Sequence, residues 1–116
     1  MNIPLIDFVN AINGKVLTQT TGLDQIMVTG GYVSDLLSDV MGNAREGQVW
    51  ITIMRHLNVI AVASLVGLSA VVFARDMLPD QQIISKAEEE NICLISSDLS
   101  AFRLAGKLYT LLEINN

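Results

Sequence analysis

Four short apolar runs recur along this chain, and segments with helical periodicity separate them. The runs lie at residues 26–28, 49–53, 70–73 and 92–96, and aliphatic and β-branched residues dominate them. Such runs are typical of strands that are covered on both faces. About ten helical residues between two strands imply a right-handed crossover, which makes neighbouring strands parallel. The pattern therefore predicts an α/β fold, a three-layer α/β/α sandwich with a mainly parallel sheet.

Helical spacing of apolar residues places the remaining elements. It predicts helices over residues 5–12, 36–44, 59–66, 80–90 and 98–112, and a further short strand at 15–18. Pro4 suits the first turn of the first helix, and Asn58 suits the cap of the third. Either Ser97 or Asp98 is expected to cap the last helix. The apolar face of this last helix comprises Phe102, Ala105, Tyr109 and Leu112.

Residues 57–74 raise the question of a membrane, because none of these eighteen residues is charged. A helix of that length is marginally long enough to span a bilayer. However, Gly67 divides the segment, and the half at 70–73 is rich in β-branched residues. We therefore interpret the segment as a buried helix followed by a strand, with no membrane partner.

Composition and charge narrow the class of protein. With 116 residues, the chain suits a single domain over residues 1–116. Only 16% of the residues are charged, which is few for a small monomer, so we expect a homodimer in which a second copy covers apolar surface. A net charge of −5 and seven Lys and Arg residues provide no basic face for phosphates, so nucleic acid is not an expected partner.

The cysteine content and the first residues suggest an intracellular protein. The single cysteine, Cys93, excludes an internal disulfide and any multi-cysteine metal site. Its apolar neighbours predict a buried, inert thiol. The first residues lack the basic region and long apolar core of a signal peptide, so a cytoplasmic location is expected.

The stretch at 26–37 is the best candidate for a ligand site. Its pattern indicates a buried strand, a double-glycine turn and the start of a helix, where backbone N–H groups can approach an anion. A tight turn with glycines at positive φ explains the same sequence without any ligand. The stretch is not G-x-G-x-x-G, and no lysine follows it as in a P-loop. The candidate ligand-binding residues here are Thr29, Gly30, Gly31, Ser34 and Asp35.

His56 and Asn58 complete the set of candidate ligand-binding residues. Both follow the predicted strand at 48–53, and side chains after a parallel strand are well placed to contact a ligand. Asp35 and Asp39 lie one helical turn apart and could hold Mg²⁺, although a solvent-exposed polar stripe explains them more simply. A lone histidine without an acid or nucleophile partner is weak support for catalysis. We therefore predict no catalytic residue, no resident metal and no cofactor.

Several segments together resemble the DRTGG domain family, in particular its small stand-alone members. They are VTGGYVSDLLS at 28–38, VWITI at 49–53, HLNVIAVA at 56–63, KAEE at 86–89 and SAF at 100–102. Met27 and Val28 stand where the name-giving motif has Asp and Arg, which weakens the case for a phosphate ligand at this point. The resemblance implies a fold like that of the N-terminal domain of HPr kinase/phosphorylase. It implies no catalytic residues, since such domains accompany phosphotransacetylases and CBS-containing pyrophosphatases as regulatory or dimerising modules.

These observations favour a non-catalytic regulatory or interaction module over an enzyme. In this hypothesis the chain is a cytoplasmic homodimer that binds a small molecule at the double-glycine turn. Two alternatives remain: an adenine-nucleotide sensor that acts on a separate enzyme, and a small metal-dependent enzyme that uses Asp35, Asp39 and His56.

Overall fold

The computed structural model describes residues 2–114, which form seven strands and five helices. The strands are β1 (Ile3–Pro4), β2 (Lys15–Val16), β3 (Met27–Val28), β4 (Gly30–Val33), β5 (Gln48–Thr52), β6 (Ala70–Phe73) and β7 (Leu94–Ser96). The helices are α1 (Leu5–Ala11), α2 (Leu37–Asn43), α3 (Leu57–Val66), α4 (Gln81–Glu89) and α5 (Ala101–Ile114). All five predicted helices are therefore present.

A five-stranded sheet forms the middle layer, with the strand order β2-β7-β6-β5-β4. The four strands from β4 to β7 are parallel, whereas β2 pairs antiparallel with β7. In this register Tyr32 lies opposite Trp50, Ile51 lies opposite Val72, and Val72 lies opposite Ile95. The predicted α/β fold with a mainly parallel sheet is confirmed.

Each face of the sheet carries its own apolar core. On one face, side chains of α1 and α5 pack with those of β5, β6 and β7, including Val49, Ile51 and Val72. On the other face, side chains of α2, α3 and α4 pack with Trp50 and Val71. Successive residues of a strand point to opposite faces, so neighbours such as Trp50 and Ile51 belong to different cores. The molecule is therefore the three-layer sandwich that the sequence predicts.

The double glycine does not form a turn. Gly30 and Gly31 lie inside β4, the edge strand of the main sheet, and neither has a positive φ. A Cβ added at Gly31 would lie 2.6 Å from Leu108 Cδ2, so the glycine allows α5 to pack closely against β4. The prediction of a turn was wrong because this contact involves a residue far away in the sequence.

The predicted strand at 26–28 also differs from expectation, because it does not belong to the central sheet. β3 pairs antiparallel with β1, and the two form a separate small sheet. The Leu5 N–H donates to Ile26 O at 2.7 Å, and the Ser69 hydroxyl donates to Met27 O at 2.7 Å. These bonds fasten the N-terminal segment to the rest of the domain.

Residues 57–74 form a helix and a strand, as predicted. α3 ends at Val66, the Gly67 that follows it has a left-handed φ of 82°, and β6 begins at Ala70. Within residues 2–114, no helix is both long enough and apolar enough to cross a membrane.

Two details of the helices differ from the predictions. Ser100, and neither Ser97 nor Asp98, has the side chain that accepts from the first turn of α5, through the Arg103 N–H at 3.2 Å. The predicted apolar face of α5 is only partly packed, because Phe102 and Tyr109 are exposed. Its other members, Ala105 and Leu112, are partly buried, and the fully buried residues of the helix are Leu104 and Leu108.

Candidate functional site

The carboxyl ends of the four parallel strands lie at one edge of the sheet, which we call the carboxyl edge. The segments that follow β4, β5, β6 and β7 are residues 34–36, 53–56, 74–80 and 97–100. Residues at this edge of a parallel sheet commonly contact ligands in α/β proteins. The carboxyl edge is therefore the first place to look for a site.

Asp35 joins two of these segments. Its Oδ1 accepts from the Thr52 hydroxyl at 2.6 Å and from the Ile53 N–H at 3.0 Å, so the turn after β4 is held against the end of β5. The neighbouring Ser34 has its carbonyl oxygen bonded to Trp50 Nε1 at 2.8 Å, and its hydroxyl accepts from the Leu36 N–H at 3.1 Å. Asp35 and Ser34 thus have structural hydrogen bonds at a position that is also accessible to a ligand.

His56 caps α3, although Asn58 was predicted to do so. The Nδ1 atom of His56 accepts from the Asn58 N–H at 3.1 Å, and the His56 backbone has the extended conformation of a capping residue. Both side chains are exposed at the carboxyl edge, after β5. The structure therefore places four of the predicted residues, Ser34, Asp35, His56 and Asn58, at the same edge of the sheet.

The other three predicted residues lie toward the opposite end of β4. The Thr29 N–H donates to Gly47 O at 3.0 Å, and the Thr29 hydroxyl donates to Glu46 O at 3.3 Å. Gly30 and Gly31 follow Thr29 in the strand. Because a strand rises about 3.3 Å per residue, Thr29 lies roughly 16 Å from Ser34. One small ligand cannot contact all seven residues directly.

Three basic residues at the carboxyl edge were not among the predicted site residues. Arg55 follows β5, and its Nη1 donates to Leu78 O at 3.3 Å in the segment after β6. Arg75 follows β6, and Lys15 pairs with Ser96 at the end of β7. The sequence did contain a signal for them, because Arg55 and Arg75 each follow a predicted strand within three residues. Since the strands are parallel, both arginines lie at the carboxyl edge.

Two consecutive residues of this edge have a left-handed backbone. Arg75 has a φ of 58° and Asp76 has a φ of 57°, which non-glycine residues seldom adopt. Their N–H groups donate to Leu99 O at 2.9 Å and to Ser97 O at 2.8 Å, and these bonds hold the unusual turn. The turn borders a cavity of about 450 Å³, lined by Asn13, Lys15, Asp76, Leu78, Ser96, Ser97 and Asp98.

The Asp39 carboxylate is hydrogen-bonded to different residues from those that Asp35 contacts. Its Oδ1 accepts from the Tyr32 hydroxyl at 2.7 Å and from Asn43 Nδ2 at 3.0 Å. These bonds, chiefly that from Tyr32, hold the pKa of Asp39 below its ordinary value, and the same bond raises the pKa of Tyr32. Within residues 2–114, no three His, Cys, Asp or Glu side chains come together in a way that could hold a metal ion. The arrangement gives no support to a metal site at Asp35, Asp39 and His56.

Cys93 is buried, as predicted. Only 3% of its surface is exposed, and burial raises the pKa of the thiol above its ordinary value. A raised pKa disfavours the thiolate, which is the reactive form. The prediction of an inert thiol agrees with this environment.

Comparison with solved structures shows a likeness at the level of the fold. No family model matches the sequence, and no curated protein matches it. The fold is similar to that of part of the CBS and DRTGG regulatory region of a pyrophosphatase from Clostridium perfringens, in a structure that holds the activator diadenosine tetraphosphate. The TM-score is 0.73 at 15% sequence identity, and the match covers 90% of this chain and 45% of that one. The DRTGG-like fold implied by the sequence resemblance is confirmed.

Proposed function

We propose that this chain is a non-catalytic regulatory or interaction module that binds a small ligand at the carboxyl edge. The observation that carries the proposal is the similarity in fold to the regulatory region of a pyrophosphatase. The hydrogen bonds of the polar residues at this edge also support it. The Asp35 carboxylate accepts from the Thr52 hydroxyl and the Ile53 N–H at the end of β5, and His56 caps α3, so the hydrogen bonds that the structure shows for both side chains hold the backbone in place.

The proposed ligand contacts Ser34, Asp35, His56 and Asn58, which lie after neighbouring strands. Thr29, Gly30 and Gly31 are not included, because β4 separates them from this edge. A ligand here would lie across the turns after β4 and β5. Its polar groups would meet side chains whose backbones are already held by hydrogen bonds.

A nucleotide is the second candidate, and the chain would then be a sensor acting on a separate enzyme. Lys15, Arg55 and Arg75 support this alternative, since basic side chains at one edge can bind phosphate groups by charge-assisted hydrogen bonds. The pyrophosphatase region with a similar fold binds diadenosine tetraphosphate. The acidic residues Asp35, Asp76 and Asp98 at the same edge favour a ligand with cationic or hydroxyl groups beside its phosphates, or one that binds with a cation.

A thermal-shift screen with AMP, ADP, ATP and diadenosine tetraphosphate tests the nucleotide proposal. A ligand at a hundred times its dissociation constant stabilises the folded state by about 2.7 kcal/mol, which raises Tm by several degrees in a domain of this size. Arg55→Gln should reduce the shift, whereas Arg45→Gln, which changes an exposed arginine beyond the end of α2, should not. No shift with any nucleotide would remove the sensor proposal.

The ligand site itself is tested by NMR with an amide-labelled chain and a library of small metabolites. Chemical-shift changes should cluster in residues 34–36 and 53–58 if the proposal is right. Changes confined to residues 45–48 and 29–31 would place the ligand at the other end of the strands and contradict it.

We also propose that the module acts as a homodimer, because few charged residues cover its surface. Light scattering after size-exclusion chromatography at micromolar concentration should give twice the mass of 12.6 kDa. A mass equal to that of one chain would contradict the homodimer.

A further inference from the structure

The two edge strands of the main sheet differ in how they are protected. β2 is two residues long and carries Lys15, and a short strand with a lysine is a common way to prevent further pairing. β4 has four residues, Gly30–Val33, and none of them is charged or a proline. Among the described residues, β4 pairs with β5 alone, so its other side has no strand beside it. An unprotected edge of this kind invites pairing with another chain.

An apolar strip runs along α5, and the part of it that contains Tyr109 and Leu112 lies beside this open edge. Phe102 is 87% exposed and Tyr109 is 67% exposed, and a spacing of seven residues puts both on the same side of the helix. In β4, Val33 is 51% exposed and lies on the face of the strand that packs against α5, the same face as Gly31. A cavity of about 180 Å³ opens between Val33, Tyr109 and Leu112. We call the outer side of β4 together with these four apolar side chains, Val33, Phe102, Tyr109 and Leu112, the β4–α5 surface.

The β4–α5 surface is large enough to form the centre of a dimer interface. A standard interface buries about 800 Å² on each partner. Two aromatic side chains supply about 300–500 Å² when they are buried, and Phe102 and Tyr109 retain most of their surface in the single chain. These two side chains therefore provide enough apolar surface for the centre of an interface of ordinary size.

Charge also favours this surface as the place where two copies meet. Each chain has a net charge of −5, so two copies repel each other wherever carboxylates face one another. None of the side chains that define the β4–α5 surface is charged. A contact here therefore brings fewer carboxylates together than a contact through α4, whose end carries Glu88, Glu89 and Glu90.

We propose that a second copy of this chain docks on the β4–α5 surface, with β4 pairing antiparallel to its own copy about a twofold axis. A strand paired with itself in this way presents the same backbone groups from both sides, as an isologous interface requires. The two five-stranded sheets join into one, and Phe102 and Tyr109 of each copy pack across the axis. This inference rests on the homodimer proposed above and assigns its interface.

Charge substitutions in the full chain test the interface by light scattering at micromolar concentration. Val33→Glu and Tyr109→Glu should be monomeric where the wild-type chain is dimeric, since each places two carboxylates at the twofold contact. Leu65→Glu is the matched control, because Leu65 is 71% exposed on α3, which packs on the opposite face of the sheet. Tyr109→Phe, which keeps the aromatic surface, should remain dimeric. Far-UV circular dichroism checks that each variant is folded.

Hydrogen exchange gives a second measurement that does not depend on chromatography. Amides of residues 30–33 should exchange at least tenfold more slowly in the wild-type dimer than in Tyr109→Glu. Dimers that persist in both Val33→Glu and Tyr109→Glu would overturn the proposed interface and leave the homodimer standing. A wild-type chain that is monomeric, or that dimerises only through the site of Leu65→Glu, would overturn the inference as well.

Discussion

Gly30 and Gly31 are adjacent in β4, but the space around them is different. A Cβ at Gly31 would lie 2.6 Å from Leu108 Cδ2, whereas at Gly30 the nearest atom, Gln48 Nε2, is 3.4 Å away. Leu108 is buried and cannot move freely, so a methyl group at Gly31 overpacks the contact between α5 and the sheet.

Gly31→Ala should therefore lower the free energy of unfolding by about 1–3 kcal/mol. Gly30→Ala should change it by less than about 0.5 kcal/mol, because the added methyl group would meet only the flexible Gln48 side chain, at an ordinary contact distance. Urea unfolding at one protein concentration measures both. Equal effects of the two substitutions would contradict the explanation of Gly31 by its contact with Leu108.

The Tyr32–Asp39 hydrogen bond should make stability depend on pH. The Tyr32 bond is the largest cause of the lowered pKa of Asp39, which is otherwise 3.8. A carboxyl whose pKa is lower in the folded state stabilises the protein above 3.8, and this contribution is lost as the pH falls through the folded value. Tyr32 has a raised pKa, so its contribution is present below pH 10.0 and lost as the pH rises through its folded value.

Tyr32→Phe should therefore have a lower Tm than the wild type at pH 6, with the difference shrinking as the pH falls below about 4. Tyr109→Phe is the control on the acid side, because Tyr109 is exposed and no carboxylate within residues 2–114 accepts from its hydroxyl. Thermal unfolding followed from pH 2 to pH 7 measures the difference. A gap that stays constant down to pH 2 would show that the bond does not depend on ionised Asp39.

At the scale of single elements, local signals were sufficient for α4. The helix predicted over residues 80–90 is α4, and the Asp80 carboxylate accepts from the Ile83 N–H at 3.0 Å. Both residues act within one turn of the chain, so the sequence holds all the information that is needed. The same is true of β6, which is a continuous apolar run that begins just after Gly67.

Asp80→Ala should destabilise the protein by about 1 kcal/mol, because the first turn of α4 loses its cap. Asp80→Asn retains an oxygen that can accept from Ile83, so it should cost only a few tenths of a kcal/mol. Chemical denaturation of the two variants distinguishes the contribution of the capping hydrogen bond to stability from the contribution of the Asp80 charge. An asparagine variant as unstable as the alanine variant would point instead to the charge of Asp80.

The orientation of α5 could not be predicted in the same way. Apolar residues cover more than half of its circumference, so periodicity alone allows either Leu104 and Leu108 or Phe102 and Tyr109 to face the core. The first pair is buried because Gly31 makes room for Leu108 on the strand. The choice depends on a contact between distant parts of the sequence, which a local pattern does not contain.

The topology of the whole molecule explains why the residues of the predicted site lie toward opposite ends of the strands. The strands from β4 to β7 lie side by side in the order of the sequence, so right-handed crossovers put α2, α3 and α4 on one face. This sheet has no point where the order of its parallel strands reverses, which is where the crevice of doubly wound folds lies. The sequence predicted the layers and the parallel strands. It did not predict that β4 is the outermost strand of the sheet. It also did not predict that Arg55 and Arg75 both lie at the carboxyl edge.

The two cores should unfold together, because they share the same strands. Trp50 and Ile51 are adjacent in β5 but pack in different cores, and the same holds for Val71 and Val72 in β6. Losing either core removes the packing that holds these strands, so unfolding should be cooperative, with no stable half-folded state.

Trp50 is the only tryptophan and is buried against α2, α3 and α4, so its fluorescence reports on one face alone. Leu104 is buried on the other face, in α5, and Leu104→Ala should cost about 2–5 kcal/mol. We expect this substitution to shift the fluorescence and far-UV circular dichroism transitions by the same amount, although Leu104 belongs to the other core. Leu65→Ala, at an exposed position of α3, should leave both transitions unchanged. If Leu104→Ala lowered the circular dichroism midpoint while the Trp50 midpoint stayed in place, α5 would be unfolding separately, and the two cores would not form one cooperative unit.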